Sequence, residues 1–182
     1  MNIILCFPRV GMTRASKVLR EKQIDHHYIN LNDLFEVEVP LSAEEQCEID
    51  SICRIGYSGF VTRTGKPLTR KIINKNYNMD CINLVKEKLN EEKSYMLISY
   101  NLNVVKYLQD NDIRFTVVVP DKNLKYDYIG RGVKTMESVD CIEQTWDIYI
   151  NSIEKCNYED KVTLGLGKFL SDYIESIDIR LK

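Results

Sequence analysis

Residues 6–13 read Cys6-Phe7-Pro8-Arg9-Val10-Gly11-Met12-Thr13 and stand between an apolar stretch and a helical pattern. A strand, a glycine-bearing turn and a helix in that order make a place for an anion. Glycine lets the backbone approach closely, and the start of the helix presents amide N–H groups that no carbonyl of the helix can reach. The motif that cradles phosphates in this way is G-x-x-x-x-G-K-[ST]. Aligned on Gly11 and Thr13, Cys6 replaces the first glycine and Met12 replaces the lysine. Arg9, Gly11, Thr13 and Arg14 are the candidate nucleotide-contacting residues, with Thr13 placed for a metal ion and Arg9 or Arg14 placed to substitute for the absent lysine. Met12 itself has no charge with which to hold β- and γ-phosphates. No catalytic residue is assigned, and no cofactor is expected. The same strand, turn and helix also occur in α/β proteins that bind nothing there.

Two further groups are set apart by charge. Residues 25–50 carry Asp25, Asp33, Glu36, Glu38, Glu44, Glu45, Glu48 and Asp50 with no lysine or arginine. Residues 54–75 carry Arg54, Arg63, Lys66, Arg70, Lys71 and Lys75 with no acid. An acidic block imitates a phosphate backbone, so Glu44, Glu45 and Glu48 are candidate contacts to a basic protein partner. The six basic residues, interleaved with Tyr57, Phe60 and Tyr77, are candidate contacts to DNA or RNA. The competing reading is a solvated helix face beside a basic loop that pairs with it.

The remaining reactive side chains narrow the choice. Six cysteines include no CxxC pair, and His26 and His27 are the only histidines, so no metal site is expected. The cysteines read as free thiols in a reducing compartment. His26 and His27 precede a strand and read as structural, Asp33 as a turn residue or a substrate contact, and Trp146 as core. Arg131 and Lys134 read as lid charges or as a solvated loop.

These residues need elements to position them. The expected strands are Asn2–Phe7, His27–Leu31, Tyr95–Ser99 and Phe115–Val119. The expected helices are Thr13–Gln23, Ser42–Cys53, Met79–Leu89, Leu102–Gln109, Leu124–Ile129, one carrying Val139, Ile142, Trp146, Tyr149 and Ile153, and a last one carrying Val162, Leu166, Phe169, Tyr173 and Ile177. Ser42 with Glu45 three residues on is a capping box that starts its helix. Residues 54–75 read as the least regular stretch. Alternating strands and helices predict a mainly parallel sheet flanked by helices, in which ligands sit beyond the carboxyl ends of the strands. The 182 residues suit a single α/β domain, 1–182. The net charge of −2 excludes a generic nucleic-acid binder. The short apolar opening, without a basic flank, predicts a buried strand instead of a signal peptide. No stretch approaches the ~20 apolar residues of a membrane span, so a cytoplasmic location and no membrane partner are expected.

The opening and the segment FTVVVPDKNLKYDYIGRG (residues 115–132) together resemble small P-loop nucleotide-kinase-like proteins of phages. These often begin with a strand and F-P-G-V-G-K-[ST], and carry a later strand, proline, lysine–tyrosine helix and arginine-containing lid. The segment from Asn30 to Phe35 sits where that family places an acidic residue after its second strand. The resemblance implies a P-loop-kinase-like fold, ATP binding and phosphoryl transfer to a nucleotide, but Met12 and Cys6 depart from the pattern at the residues such transfer needs. In size and whole-chain character the sequence also looks like a type II anti-CRISPR protein of gut Clostridia. That resemblance implies binding to a guide-loaded, RNA-guided DNA nuclease in a bacterial host. The two functional expectations are a non-catalytic binding protein on a kinase-like scaffold, and a nucleotide or nucleoside kinase with a divergent P-loop.

Overall fold

The structure is a computed structural model, and it describes residues 1–45, 47–48, 69–133, 139–156, 158 and 160–180. In chain order the elements are β1 (Asn2–Cys6), α1 (Met12–Glu21), β2 (His26–Ile29), β3 (Glu36–Pro40), β4 (Thr69–Ile73), α2 (Tyr77–Leu89), β5 (Tyr95–Ser99), α3 (Leu102–Asp110), β6 (Thr116–Pro120), α4 (Lys125–Val133), α5 (Val139–Lys155), β7 (Asp160–Leu164) and α6 (Leu170–Arg180). Short 3-10 turns cover Leu31–Leu34 and Lys122–Leu124. The chain divides into two compact units, residues 1–31 with 78–182, and residues 32–77.

The larger unit is built on a five-stranded sheet in the order β2-β5-β1-β6-β7, parallel throughout. β1, β5 and β6 are buried along nearly their whole length, as strands covered on both faces must be. The fold is therefore α/β, a parallel sheet flanked by helices and P-loop-kinase-like, as the sequence predicts. The connection from β1 leads to β2 on one side, whereas that from β5 crosses to β6 on the other. The carboxyl end of β1 is thus a topological switch point, where open α/β sheets receive ligands.

Local sequence explains the helices. α1 turns Ala15, Ser16 and Leu19 inward at helical spacing. α3 is capped by Asn101, whose side chain accepts from the amides of Asn103 and Val104. Both helices end the same way. Gln23 and Asp112 adopt left-handed conformations (φ 57° and 54°), and the next amides, Ile24 and Ile113, donate back to Leu19 and Leu108 at 2.9 Å. His26 ties α1 to β2: its Nδ1–H donates to the Ile24 carbonyl at 2.9 Å, and its Nε2 is hydrogen-bonded to the buried Ser16 hydroxyl at 2.8 Å. That is a structural role, as expected.

The smaller unit pairs β3 and β4 as antiparallel strands, with Val37 opposite Ile72 and Glu38 opposite Lys71. Residues 43–45, 47 and 48 are helical. The ring of Phe35 meets that of Tyr77 edge-on at 5.4 Å.

Three expectations need correction. The last helix does not begin near Val162: residues 160–164 are β7, and α6 starts only at Leu170. Val162, Leu166 and Phe169 happen to fall at helical spacing, but Gly167 at φ 71° breaks the chain between strand and helix. Thr69–Ile73 is a strand inside the stretch read as irregular, because a charged strand such as this one lacks an apolar signature. The second strand stops at Ile29, since Leu31 opens a 3-10 turn and gives its N–H to the Ser99 hydroxyl at 2.8 Å.

The left-handed caps yield a test. A non-glycine residue in this conformation costs roughly 1–2 kcal/mol, with aspartate among the more tolerant. Gln23→Gly is therefore expected to stabilise the protein by about 0.5–1 kcal/mol, a rise of about 2–4 °C in Tm per kcal/mol for a chain of this size, and Asp112→Gly by less. Thermal melts of the two variants check the order.

Candidate functional site

The turn after β1 has the local geometry of an anion loop. Arg9 (φ 64°) and Gly11 (φ 90°) are both left-handed, and Gly11 precedes α1 with no side chain capping the helix. The loop is nevertheless occupied by the protein itself. Its buried residue Val10 accepts a hydrogen bond from the Leu170 amide at 2.8 Å, and the Phe7 amide donates to Val118 at 3.0 Å. A Cβ added to Gly11 would lie 3.1 Å from Cδ1 of Phe169, so the Phe169 ring rests directly on the glycine. Phe169 is pinned in turn: its amide donates to the Asp172 carboxylate at 2.7 Å. Two guanidinium groups also stack on its ring, Arg14 at 5.0 Å and Arg131 at 4.4 Å from the centroid. Arg131 additionally lies 4.3 Å from the Tyr128 ring centroid and pairs with Asp127 at 2.7 Å.

All four candidate loop residues therefore lie together, but they are engaged within the fold. Arg14 stacks on Phe169. The Thr13 hydroxyl meets the hydroxyl of Tyr28 at 3.1 Å. Cys6, where the motif wants glycine, is buried with its thiol directed at the Ile4 carbonyl, and burial drives its pKa far above the usual thiol range. That thiol is inert.

Beyond the ends of β1 and β5, aromatic rings fill the switch point. Phe7 packs edge-on against Tyr128, Trp146 and Tyr149 at 6.2, 5.2 and 5.9 Å, and Tyr100 meets Tyr149 at 5.4 Å. The Tyr100 hydroxyl bonds those of Tyr158 at 2.8 Å and Ser152 at 3.2 Å. Burial raises the pKa of Tyr128, Tyr149 and Tyr158, so these phenols stay neutral. Trp146 is core, as expected. The plug at Phe169 escaped sequence reasoning, because its contact with Gly11 joins opposite ends of the chain and leaves no local pattern. Among the described residues, no group of three or more His, Cys, Asp or Glu side chains is placed to hold a metal ion.

The charged blocks meet in the smaller unit. The capping box is present: the Ser42 amide donates to Glu45 Oε2 at 2.8 Å, and the Glu45 amide to Ser42 Oγ at 3.2 Å. Glu45 also binds Arg70 at 2.6 Å, and Glu36 binds Lys71 at 3.5 Å. Two of the candidate nucleic-acid residues, Arg70 and Lys71, thus pair with acids of the neighbouring block. Lys75, Glu44 and Glu48 are exposed. Arg54, Arg63 and Lys66, with Tyr57, Phe60 and Lys134, lie outside the described residues.

Glu45 carries a pH dependence. Its pKa is lowered, first by the hydrogen bond from the Ser42 amide and further by the Ser42 hydroxyl and Arg70. A depressed carboxyl stabilises the fold above its unfolded value near 4.5, and that contribution is lost as pH falls through the lower folded value. Glu45→Ala is expected to lower Tm at neutral pH, with the gap to wild type closing below about pH 4.5. Melts across pH 3–7 read this out.

No family model matches the sequence, and no curated protein matches it either. Among solved structures, the chain is similar to an uncharacterized protein from Eubacterium ventriosum at 14% identity, with 99% of this chain and 97% of that chain covered and a TM-score of 0.44. So loose a likeness says nothing of reaction or partner. Among the described residues, no helix is long and apolar enough to cross a membrane.

Proposed function

We propose that the chain is a non-catalytic binding protein on a nucleotide-kinase-like scaffold, acting as a phage or mobile-element inhibitor of a bacterial RNA-guided DNA nuclease. The observation that carries the first half is the Phe169 ring resting on Gly11. Phosphoryl transfer requires backbone amides and a cation aimed at the oxygens where charge develops. Here an apolar ring lies over the loop glycine, Met12 stands at the cation's position, and aromatic side chains pack beyond the strand ends. A scaffold closed in this way is retained for its surface.

The partner follows from the anti-CRISPR resemblance and from charge. RNA-guided nucleases hold their heteroduplex in a positively charged channel and read the PAM with arginines. Glu44 and Glu48 are exposed acids whose charge suits such a surface.

Two experiments test the two halves separately. Calorimetry with Mg-ATP is expected to show no binding to wild type, and none to Met12→Lys, because the added charge leaves Phe169 in place. Met12→Lys combined with Phe169→Ala is expected to gain affinity. Tight ATP binding by wild type would overturn the non-catalytic reading. In a cleavage assay with guide-loaded nuclease, the protein is expected to inhibit, and Glu44→Lys with Glu48→Lys to inhibit at least tenfold less well. Uninhibited cleavage at large molar excess would remove the nuclease as partner and leave the closed loop untouched.

A further inference from the structure

α1 carries a row of exposed cations along one face. With Ala15, Ser16 and Leu19 facing the core, the helical period turns Arg14 and Lys17 to the opposite side, with Arg20 beside them, and all three are exposed. Helices are stabilised by acids near their amino end and by a side-chain cap. α1 has neither: its first turn contains no acid, no side chain caps it, and Arg14 stands within that turn. At Arg14 the helix dipole and the side chain add positive potential at the same place. One acid shares the face, Glu21, 3.8 Å from Lys17, with both side chains well exposed; such a pair neutralises little.

The geometry also specifies the size of the anion. Arg14 and Arg20 are separated by about 9 Å along the helix axis, longer than one phosphate. A run of phosphates along a nucleic-acid strand spans that distance, whereas one phosphate does not. Arg14 lies over the Phe169 ring, 5.0 Å from its centroid, and is exposed to solvent.

A second observation distinguishes the form of nucleic acid. Tyr28, on the edge strand β2, is 42% exposed, and its hydroxyl meets Thr13 Oγ1 in the first turn of α1 at 3.1 Å. That bond holds an exposed aromatic ring beside the cationic face. Cations that track a backbone next to an aromatic platform are the recognition pattern for unpaired bases, since stacked bases in a duplex present no face to the ring.

We propose that the outward face of α1, formed by Arg14, Lys17 and Arg20 with Tyr28 at its flank, binds single-stranded nucleic acid through its phosphates and one stacked base. The site is distinct from the basic residues of 54–75 and does not rest on the nuclease reading.

The test is fluorescence anisotropy of the full chain with a dye-labelled short oligothymidylate. Three phosphate contacts predict that affinity falls roughly twentyfold between about 50 and 200 mM salt. Lys17→Glu with Arg20→Glu is expected to weaken binding at low salt by more than tenfold and reduce that fall to about threefold. Lys17→Gln with Arg20→Gln, which adds no charge beside Glu21, is expected to flatten the salt dependence in the same way, so the result does not hang on one variant's folding. Tyr28→Ala is expected to lose about tenfold, and Tyr28→Phe, which keeps the ring but lacks the bond to Thr13, to lose less. The proposal is overturned by no binding at low salt, by unchanged affinity in both double variants, by a duplex bound as tightly as the single strand, or by equal binding to phosphatidylserine vesicles. A loss seen only on changing Arg70, Lys71 and Lys75 would overturn it as well.

Discussion

β1 has no free edge. Its backbone is bonded to β5 on one side and β6 on the other, and Ile3 through Cys6 are buried. From Ile4 to Cys6 the strand is paired on both sides, and the chain beyond Cys6 leaves over the sheet's end and turns back into α1. The left-handed pair Arg9 and Gly11 makes that turn. The position of α1 follows from that turn. In this topology the turn after the central strand is both structurally unavoidable and the natural seat for an anion.

What distinguishes this chain is the group that fills the seat. A phosphate would satisfy the amides at the start of α1 and require charge around it. A phenylalanine ring satisfies none of them and requires instead a partner surface, which Gly11 supplies below and the guanidinium groups of Arg14 and Arg131 supply around it. Cation–π contacts of this kind are worth roughly 0.5–2 kcal/mol each depending on exposure. The arginines thereby bind a quadrupole in place of an ionised oxygen. The neutral phenols beyond β5 fill the end of the sheet, with the Tyr100 and Tyr149 rings edge-on and the Tyr100 and Tyr158 hydroxyls bonded to one another.

Much of this was legible in the sequence, and the limits have physical causes. The continuous apolar runs at 2–7, 95–99 and 115–119 announced buried parallel strands, and Ser42 with Glu45 announced a capped helix start. Both are local signals. β7 was hidden because three apolar residues at helical spacing ran across a strand, a glycine break and a helix start. β3 and β4 were hidden because their charges serve cross-strand pairing instead of burial. The loop's departures from the phosphate motif could be read directly at Cys6 and Met12. Its closure by Phe169 could not, because nothing near residue 169 refers to residue 11.

The register of the central strand has a consequence for biogenesis. Asn2 pairs with Tyr95, and Ile4 with Thr116, so the most apolar strand of the sheet emerges from the ribosome long before either neighbour exists. At about 5–20 residues per second, β1 waits roughly 5–20 s for β5 to be synthesised. Throughout that interval an unpaired hydrophobic strand is open to aggregation or to a chaperone. A chain with this order of strands assembles its sheet around a strand made first and sheltered late, so its yield in the cell depends on the speed of translation as well as on the stability of the finished fold.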